Sequence, residues 1–120
     1  MRVIITSSSK VGNTLRKEED MDRADIAVIG TGPAGISAAI NARIRRKSFL
    51  LFGSSKLSAK IESSEQIVNY PAIDAISGPQ LNERFREQLV KLEIPIIDER
   101  ITGIYKMENY YLIMADKKQY

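Results

Sequence analysis

The fold of this 120-residue chain is decided by residues 26–35, which read IAVIGTGPAG. An apolar tetrapeptide predicts a strand, the glycine-rich turn follows it, and residues 36–46 have the composition of a helix. In a Gly-x-Gly-x-x-Gly turn, the first glycine redirects the chain, the second leaves room for a diphosphate, and the third lets the helix pack closely. The helix would direct its free N–H groups and the positive end of its dipole at the phosphates. An ordinary strand-to-helix turn is the alternative, but the context favours dinucleotide binding.

Composition limits the chemistry that side chains can perform here. The length allows one modest core and is too short for two full domains. The chain has no cysteine and no histidine, which excludes disulfides, thiol nucleophiles, Cys/His zinc sites and imidazole bases. Redox chemistry would therefore come from a bound cofactor, and the sequence offers no catalytic residue and no metal site.

Charge and hydropathy also limit the expected partners. The net charge is only +3, and the basic residues at 43–47 complement the dipole at the end of the predicted helix. No apolar run approaches the roughly 20 residues of a membrane span. We therefore expect a cytoplasmic protein without nucleic-acid or membrane partners.

Beyond the glycine turn, the elements alternate between strand and helix. Ile36, Ile40 and Ile44 recur every four residues and predict a buried crossover helix, and residues 48–52 predict a second parallel strand. Ser77 and Gln80 form a capping box for a second helix. Residues 94–97 predict a third strand, and residues 101–115 a hairpin that turns at 108–109. The expected fold class is α/β: a Rossmann-like βαβ fold with a parallel three-stranded sheet, crossover helices and a β hairpin.

Residues 1–20 differ from the rest of the chain. Residues 3–6 could form a strand, and residues 9–14 resemble the phosphate loop of flavodoxin-like proteins. The remainder of such a domain is missing, so we expect a flexible leader, either a flavodoxin-like remnant or an extension. The domain would then occupy residues 21–120, and removal of the leader would change neither the fold nor cofactor affinity.

The end of the second predicted strand departs from the pattern of nicotinamide-binding folds. Those folds usually place an Asp or Glu about 20 residues beyond the glycines, where it binds the ribose hydroxyls. Leu51-Phe52-Gly53 stands at this place, so ribose contacts would come from the Gly53 backbone or from Ser54 and Ser55. This weakens the interpretation as a generic Rossmann dehydrogenase.

Several segments in order resemble the N-terminal FAD-binding part of thioredoxin-reductase-like flavoproteins: residues 25–39, 49–53, 68–71, 76–81 and 101–104. Phe52-Gly53 stands where an acidic residue is usual, and in this it resembles a subgroup of the family found in anaerobes. That subgroup includes ferredoxin-linked flavin thioredoxin reductases. The resemblance implies FAD as the cofactor. In the full-length parent, the flavin would pass electrons from NAD(P)H or ferredoxin to the disulfide of a thioredoxin-like protein.

The resemblance also implies roles for individual residues. The FAD diphosphate would lie at the glycine loop, formed by Gly30, Thr31, Gly32, Pro33, Ala34 and Gly35. The adenosine ribose would contact Phe52, Gly53 and Ser54. Asn69 would bind near the flavin, and the backbone of Ile101 would contact the adenine. Taken without the resemblance, Asn69-Tyr70-Pro71 is a plain loop turn.

Parts of the family pattern are missing. Residues 54–64 replace its Gly-Gly-Gln segment, and the Cys-x-x-Cys motif, the nicotinamide domain and a later Ala-Thr-Gly strand are absent. The resemblance therefore implies the first part of a longer flavoprotein, inactive by itself. Two alternatives stay open: a non-catalytic fragment with weak or no nucleotide binding, and an NAD(P)-binding Rossmann enzyme. The oligomeric state is open, with a homodimer among the options.

Overall fold

The computed structural model describes residues 2–7 and 22–117. Within them, a parallel sheet contains β3 (Ile26–Ile29), β4 (Phe49–Phe52) and β5 (Ile96–Ile97), in that order. Helix α1 (Pro33–Ile44) connects the first pair of strands, and α2 (Ala59–Glu62) and α3 (Gly78–Lys91) lie between the second pair. The predicted α/β class with a parallel three-stranded sheet is confirmed.

Helix α1 begins at Pro33, three residues before the predicted start, because Pro33 occupies a first-turn position where its missing N–H costs nothing. Ile36, Ala39 and Ala42 are buried, but Ile44 is 66% exposed. The expectation of a buried stripe that includes Ile44 is therefore wrong. Residues four apart drift by about 40° around a helix, so the third isoleucine rotates off the core face.

Helix α3 has the predicted N-terminus. The Ser77 hydroxyl accepts a hydrogen bond from the Gln80 amide, and the Gln80 side chain accepts one from the Ser77 amide. Leu81, Phe85 and Leu89 are buried on the face that packs against the parallel sheet. None of the helices within residues 22–117 combines the length and apolarity needed to cross a bilayer.

The predicted hairpin is confirmed as β6 (Glu99–Lys106) and β7 (Tyr110–Lys117), which pair antiparallel. The parallel sheet has a core cluster on each side. One cluster contains the buried faces of α1 and α3, and the other joins Phe52 of β4 to Ile113 and Ala115 of β7. The hairpin therefore packs beneath the end of β4, close to the carboxyl edge of the sheet.

The first strands differ from the expectation of a flexible leader. Strand β1 (Arg2–Ser7) pairs parallel with β7 and antiparallel with β2 (Asp22–Ala24), which gives a second sheet of order β2-β1-β7-β6. Val3, Ile4, Ile5 and Thr6 are β-branched, which suits a central strand. The resemblance of residues 9–14 to a phosphate loop lies outside the described residues, and the division of the chain at residue 21 stays a prediction.

We expect Ile4→Pro to destabilise the protein, because proline removes a backbone N–H from a strand that pairs on both sides. The urea midpoint should fall by the equivalent of about 2–3 kcal/mol. Ile4→Val keeps both the N–H and the β-branched side chain and is the control. Equal midpoints for Ile4→Pro and the wild-type chain would show that β1 contributes nothing to the folded state.

Candidate dinucleotide site

The candidate site lies where the carboxyl ends of the parallel strands meet, the usual ligand position in open α/β sheets. The glycine loop follows β3, a turn beginning at Gly53 follows β4, and Asp98 follows β5. The Gly30 amide donates to the Phe52 carbonyl at 2.7 Å, and the Gly53 amide donates to the Ile97 carbonyl at 3.2 Å. These bonds hold the three strand ends side by side.

The three glycines of the loop have different surroundings. Gly30 has φ +121°, a backbone conformation that favours glycine. A Cβ on Gly35 would lie 1.9 Å from the Gly30 carbonyl oxygen, so the first turn of α1 touches the end of β3. A Cβ on Gly32 would meet nothing within 4 Å. The loop is therefore closely packed at Gly35 and open to a ligand at Gly32.

The N-terminus of α1 suits an anion. Gly32 is the N-cap without a side-chain cap, and the first turn contains no acidic residue. Within residues 22–117, the amides of Ala34 and Gly35 donate no hydrogen bond, and the helical bonds begin with the Ile36 amide. In contrast, a serine side chain caps both α2 and α3. The free amides and the helix dipole can therefore bind a negatively charged group.

Thr31 connects the glycine loop to the turn after β4. Its side chain is buried, and its hydroxyl donates to the Ser54 carbonyl oxygen at 2.9 Å. Gly53 has φ +156°, and a Cβ there would lie 2.6 Å from the Thr31 Cγ2 atom. The distance between the loop and the turn is thus fixed by a hydrogen bond and by direct packing.

The turn after β4 is held by further hydrogen bonds. The Ser54 hydroxyl accepts from the Lys56 amide at 3.1 Å, and the Ser54 carbonyl accepts from the Leu57 amide at 3.0 Å. Asp98 Oδ2 accepts from the Ser55 amide at 3.0 Å and from the Ser55 hydroxyl at 2.6 Å. Sequence reasoning missed Asp98. The available signal was a carboxylate directly after the third predicted strand, at the edge where ligands bind.

The remaining candidate residues lie in different surroundings. The Phe52 side chain is buried in the cluster beneath β4, and Ile101 packs against the same cluster. Pro33 is half-buried and Ala34 exposed in the first turn of α1. Asn69 is exposed, and no hydrogen bond within residues 22–117 connects it to the glycine loop. The structure brings the glycine loop together with Gly53 and Ser54.

No family model matches this chain, but individual proteins do. It is 33% identical over 86 residues to a thioredoxin reductase from Ureaplasma parvum, covering 72% of this chain and 28% of that protein. It is 31% identical over 98 residues to a thioredoxin reductase from Peptoclostridium acidaminophilum, covering 80% of this chain and 31% of that protein.

The chain is also similar to solved structures of thioredoxin reductases. A ferredoxin-flavin thioredoxin reductase from Clostridium acetobutylicum superimposes with a TM-score of 0.74 and 46% identity, covering 77% of this chain and 32% of that one. Thioredoxin reductase from Lactococcus lactis superimposes with a TM-score of 0.71 and 28% identity, covering 81% of this chain and 32% of that one. The chain spans less than a third of the length of these curated relatives.

Proposed function

Because the chain belongs to the thioredoxin reductase family of flavoproteins, we propose that it binds FAD at the carboxyl edge of its parallel sheet. The glycine loop would hold the diphosphate. The observation that carries this proposal is the opening at Gly32 beside an uncapped helix N-terminus. A Cβ would extend into that opening, so the missing side chain leaves the amides of Ala34 and Gly35 accessible to an anion.

The adenosine would extend from the loop towards β4 and the hairpin. Gly53 and Ser54 would contact the ribose, since Thr31 holds them next to the loop. The side chain of Phe52 belongs to the core, so it would support the turn from beneath. Ile101 would offer its backbone to the adenine from β6, an edge strand of its sheet. Asn69, whose side chain is exposed, would bind near the flavin.

Bound FAD would supply the ability to accept and release electrons, which no side chain of this chain provides. In the whole protein, electrons would pass from NAD(P)H or ferredoxin to the disulfide of a thioredoxin-like protein in the cytoplasm. The 46% identity to a ferredoxin-flavin thioredoxin reductase, against 28% to the Lactococcus lactis protein, favours ferredoxin as the donor.

The visible absorption spectrum tests FAD binding. The purified chain is incubated with FAD and passed through a desalting column, and a parallel sample receives FMN, which lacks the adenosine end. We expect FAD absorbance to remain with the protein and FMN absorbance to be lost. Loss of both flavins would favour the alternative, a non-catalytic fragment without nucleotide binding.

We expect no disulfide reductase activity from this chain by itself, even with FAD and NADPH supplied. Electrons would reach the disulfide through a pair of cysteine thiols, and the chain contains no cysteine. Its one Gly-x-Gly-x-x-Gly loop is assigned to FAD, which leaves none for a nicotinamide cofactor. The assay measures disulfide reduction and NADPH consumption at high protein concentration, with free FAD as the background. Turnover above that background would contradict the assignment.

A further inference from the structure

The sequence pattern places Thr31 in the glycine loop, but its side chain is not available to a ligand. Thr31 is 5% exposed, and its hydroxyl donates to the Ser54 carbonyl oxygen at 2.9 Å. A threonine hydroxyl has one hydrogen, and an ionised diphosphate offers only acceptors. The Thr31 hydroxyl therefore cannot bind the diphosphate while it holds the Ser54 carbonyl.

The same side chain attaches the turn after β4 to the glycine loop. The turn has its own closing bond, from the Leu57 amide to the Ser54 carbonyl at 3.0 Å. A Cβ on Gly53 would lie 2.6 Å from Thr31 Cγ2 and 2.7 Å from Thr31 Oγ1, so the turn packs directly on this side chain. Without the Thr31 hydroxyl, the turn would keep its internal bond and lose its hydrogen bond to the loop.

The Ser54 hydroxyl is a group in this turn that suits a ribose. Its oxygen accepts from the Lys56 amide at 3.1 Å, and within residues 22–117 its hydrogen is donated to no other residue. The neighbouring Ser55 hydroxyl, in contrast, already donates to Asp98 Oδ2. Ser54 is half-buried. Its hydroxyl can donate to a ribose oxygen at the place where many dinucleotide folds use a carboxylate.

We propose that Thr31 is a positioning residue for the ribose end of the site and not a side-chain ligand of the diphosphate. Through the Ser54 carbonyl, it holds the Ser54 hydroxyl at a fixed place relative to the amides of Ala34 and Gly35. One dinucleotide can then contact both without first ordering the turn, and this preorganisation raises its affinity. The inference rests on the proposed function, because it takes the loop as the diphosphate site and the turn as the ribose contact.

Backbone amide NMR titrations with ADP and with inorganic pyrophosphate test this inference. Pyrophosphate reaches only the loop, whereas ADP extends to the turn. Thr31→Val keeps the shape of the side chain and removes its hydroxyl. We expect this variant to bind ADP about tenfold more weakly than the wild-type chain, and pyrophosphate with nearly unchanged affinity. The ratio of two affinities on one variant is insensitive to a loss of folded protein, so a merely structural role would leave it unchanged.

A second variant tests the group that Thr31 positions. Ser54→Ala removes the hydroxyl proposed to bind the ribose and leaves the Thr31 hydroxyl its backbone acceptor. Its affinity for ADP relative to pyrophosphate should fall to a similar degree as in Thr31→Val. A wild-type ratio in Ser54→Ala would contradict the inference even if Thr31→Val failed to fold.

Two control variants complete the experiment. Thr31→Ser keeps the hydroxyl and should retain the wild-type ratio. Asn41→Ala removes another 2.9 Å hydrogen bond from a side chain to a backbone carbonyl, on the exposed side of α1, and should also retain it. An unchanged ratio in Thr31→Val, or an equal change in Thr31→Ser, would overturn the inference and leave the diphosphate site intact. A wild-type chain that fails to bind ADP or pyrophosphate would overturn the proposed function as well.

Discussion

Gly35→Ala is expected to destabilise the folded chain severely. The added Cβ would lie 1.9 Å from the Gly30 carbonyl oxygen and 2.8 Å from its carbon, both of them backbone atoms that a rotamer change cannot move. The start of α1 would have to shift away from β3, which would disturb the packing of Ile36 and Ala39. We expect a loss of about 3 kcal/mol or more in the free energy of unfolding.

Urea denaturation followed by far-ultraviolet circular dichroism measures this loss. Gly32→Ala is the matched control, because its Cβ would meet nothing within 4 Å and its φ of −80° suits any residue. A midpoint of Gly35→Ala equal to that of Gly32→Ala would contradict the close contact between α1 and the end of β3.

Gly32→Val is expected to have the opposite profile: a nearly unchanged fold and at least about a hundredfold loss of FAD affinity. The backbone at Gly32 is extended, with ψ −177°, so valine fits without strain. Its two methyl groups would occupy the opening through which the diphosphate approaches the amides of Ala34 and Gly35.

Flavin fluorescence titration measures the affinity, and Ala38→Val on the exposed side of α1 is the control. The control introduces the same side chain on the same helix, away from the loop, so it should bind FAD like the wild-type chain. Equal affinities of Gly32→Val and Ala38→Val would remove the phosphate site from the glycine loop.

Local sequence signals predicted much of the fold, because they act over a few residues. The capping box between Ser77 and Gln80 fixed the start of α3, and the apolar runs before the glycine loop and at residues 48–52 fixed two parallel strands. The third strand and the hairpin were found in the same way. Each of these elements is specified by its own periodicity, cap or turn.

Long-range pairing was not predictable from the sequence. Strand β1 pairs with β7, which lies more than a hundred residues further along the chain. The four β-branched residues of β1 predict a strand, but they do not indicate which other strand it pairs with. Propensity predicts that a segment can form a strand or a helix, while the choice of neighbour depends on the whole fold.

In the candidate site, too, the local features were predictable from the sequence and the long-range contacts were not. The glycine loop was predictable because its spacing has a local physical cause. The contact between Asp98 and Ser55 joins residues 43 positions apart, and it exists only because β5 lies beside β4. The burial of the Phe52 side chain was not predictable for a related reason, because it depends on the hairpin that packs against it.

Backbone amide NMR during a titration with ADP shows whether the glycine loop binds a diphosphate, because it reports on each residue of this 13.5 kDa chain. We expect the largest shifts at the amides of Gly32, Ala34 and Gly35, with a second group at Ser54 and Ser55. The same spectra should change little at the basic residues 45–47, at the far end of α1. Shifts confined to those basic residues, or no saturable shifts at all, would contradict a diphosphate site at the glycine loop.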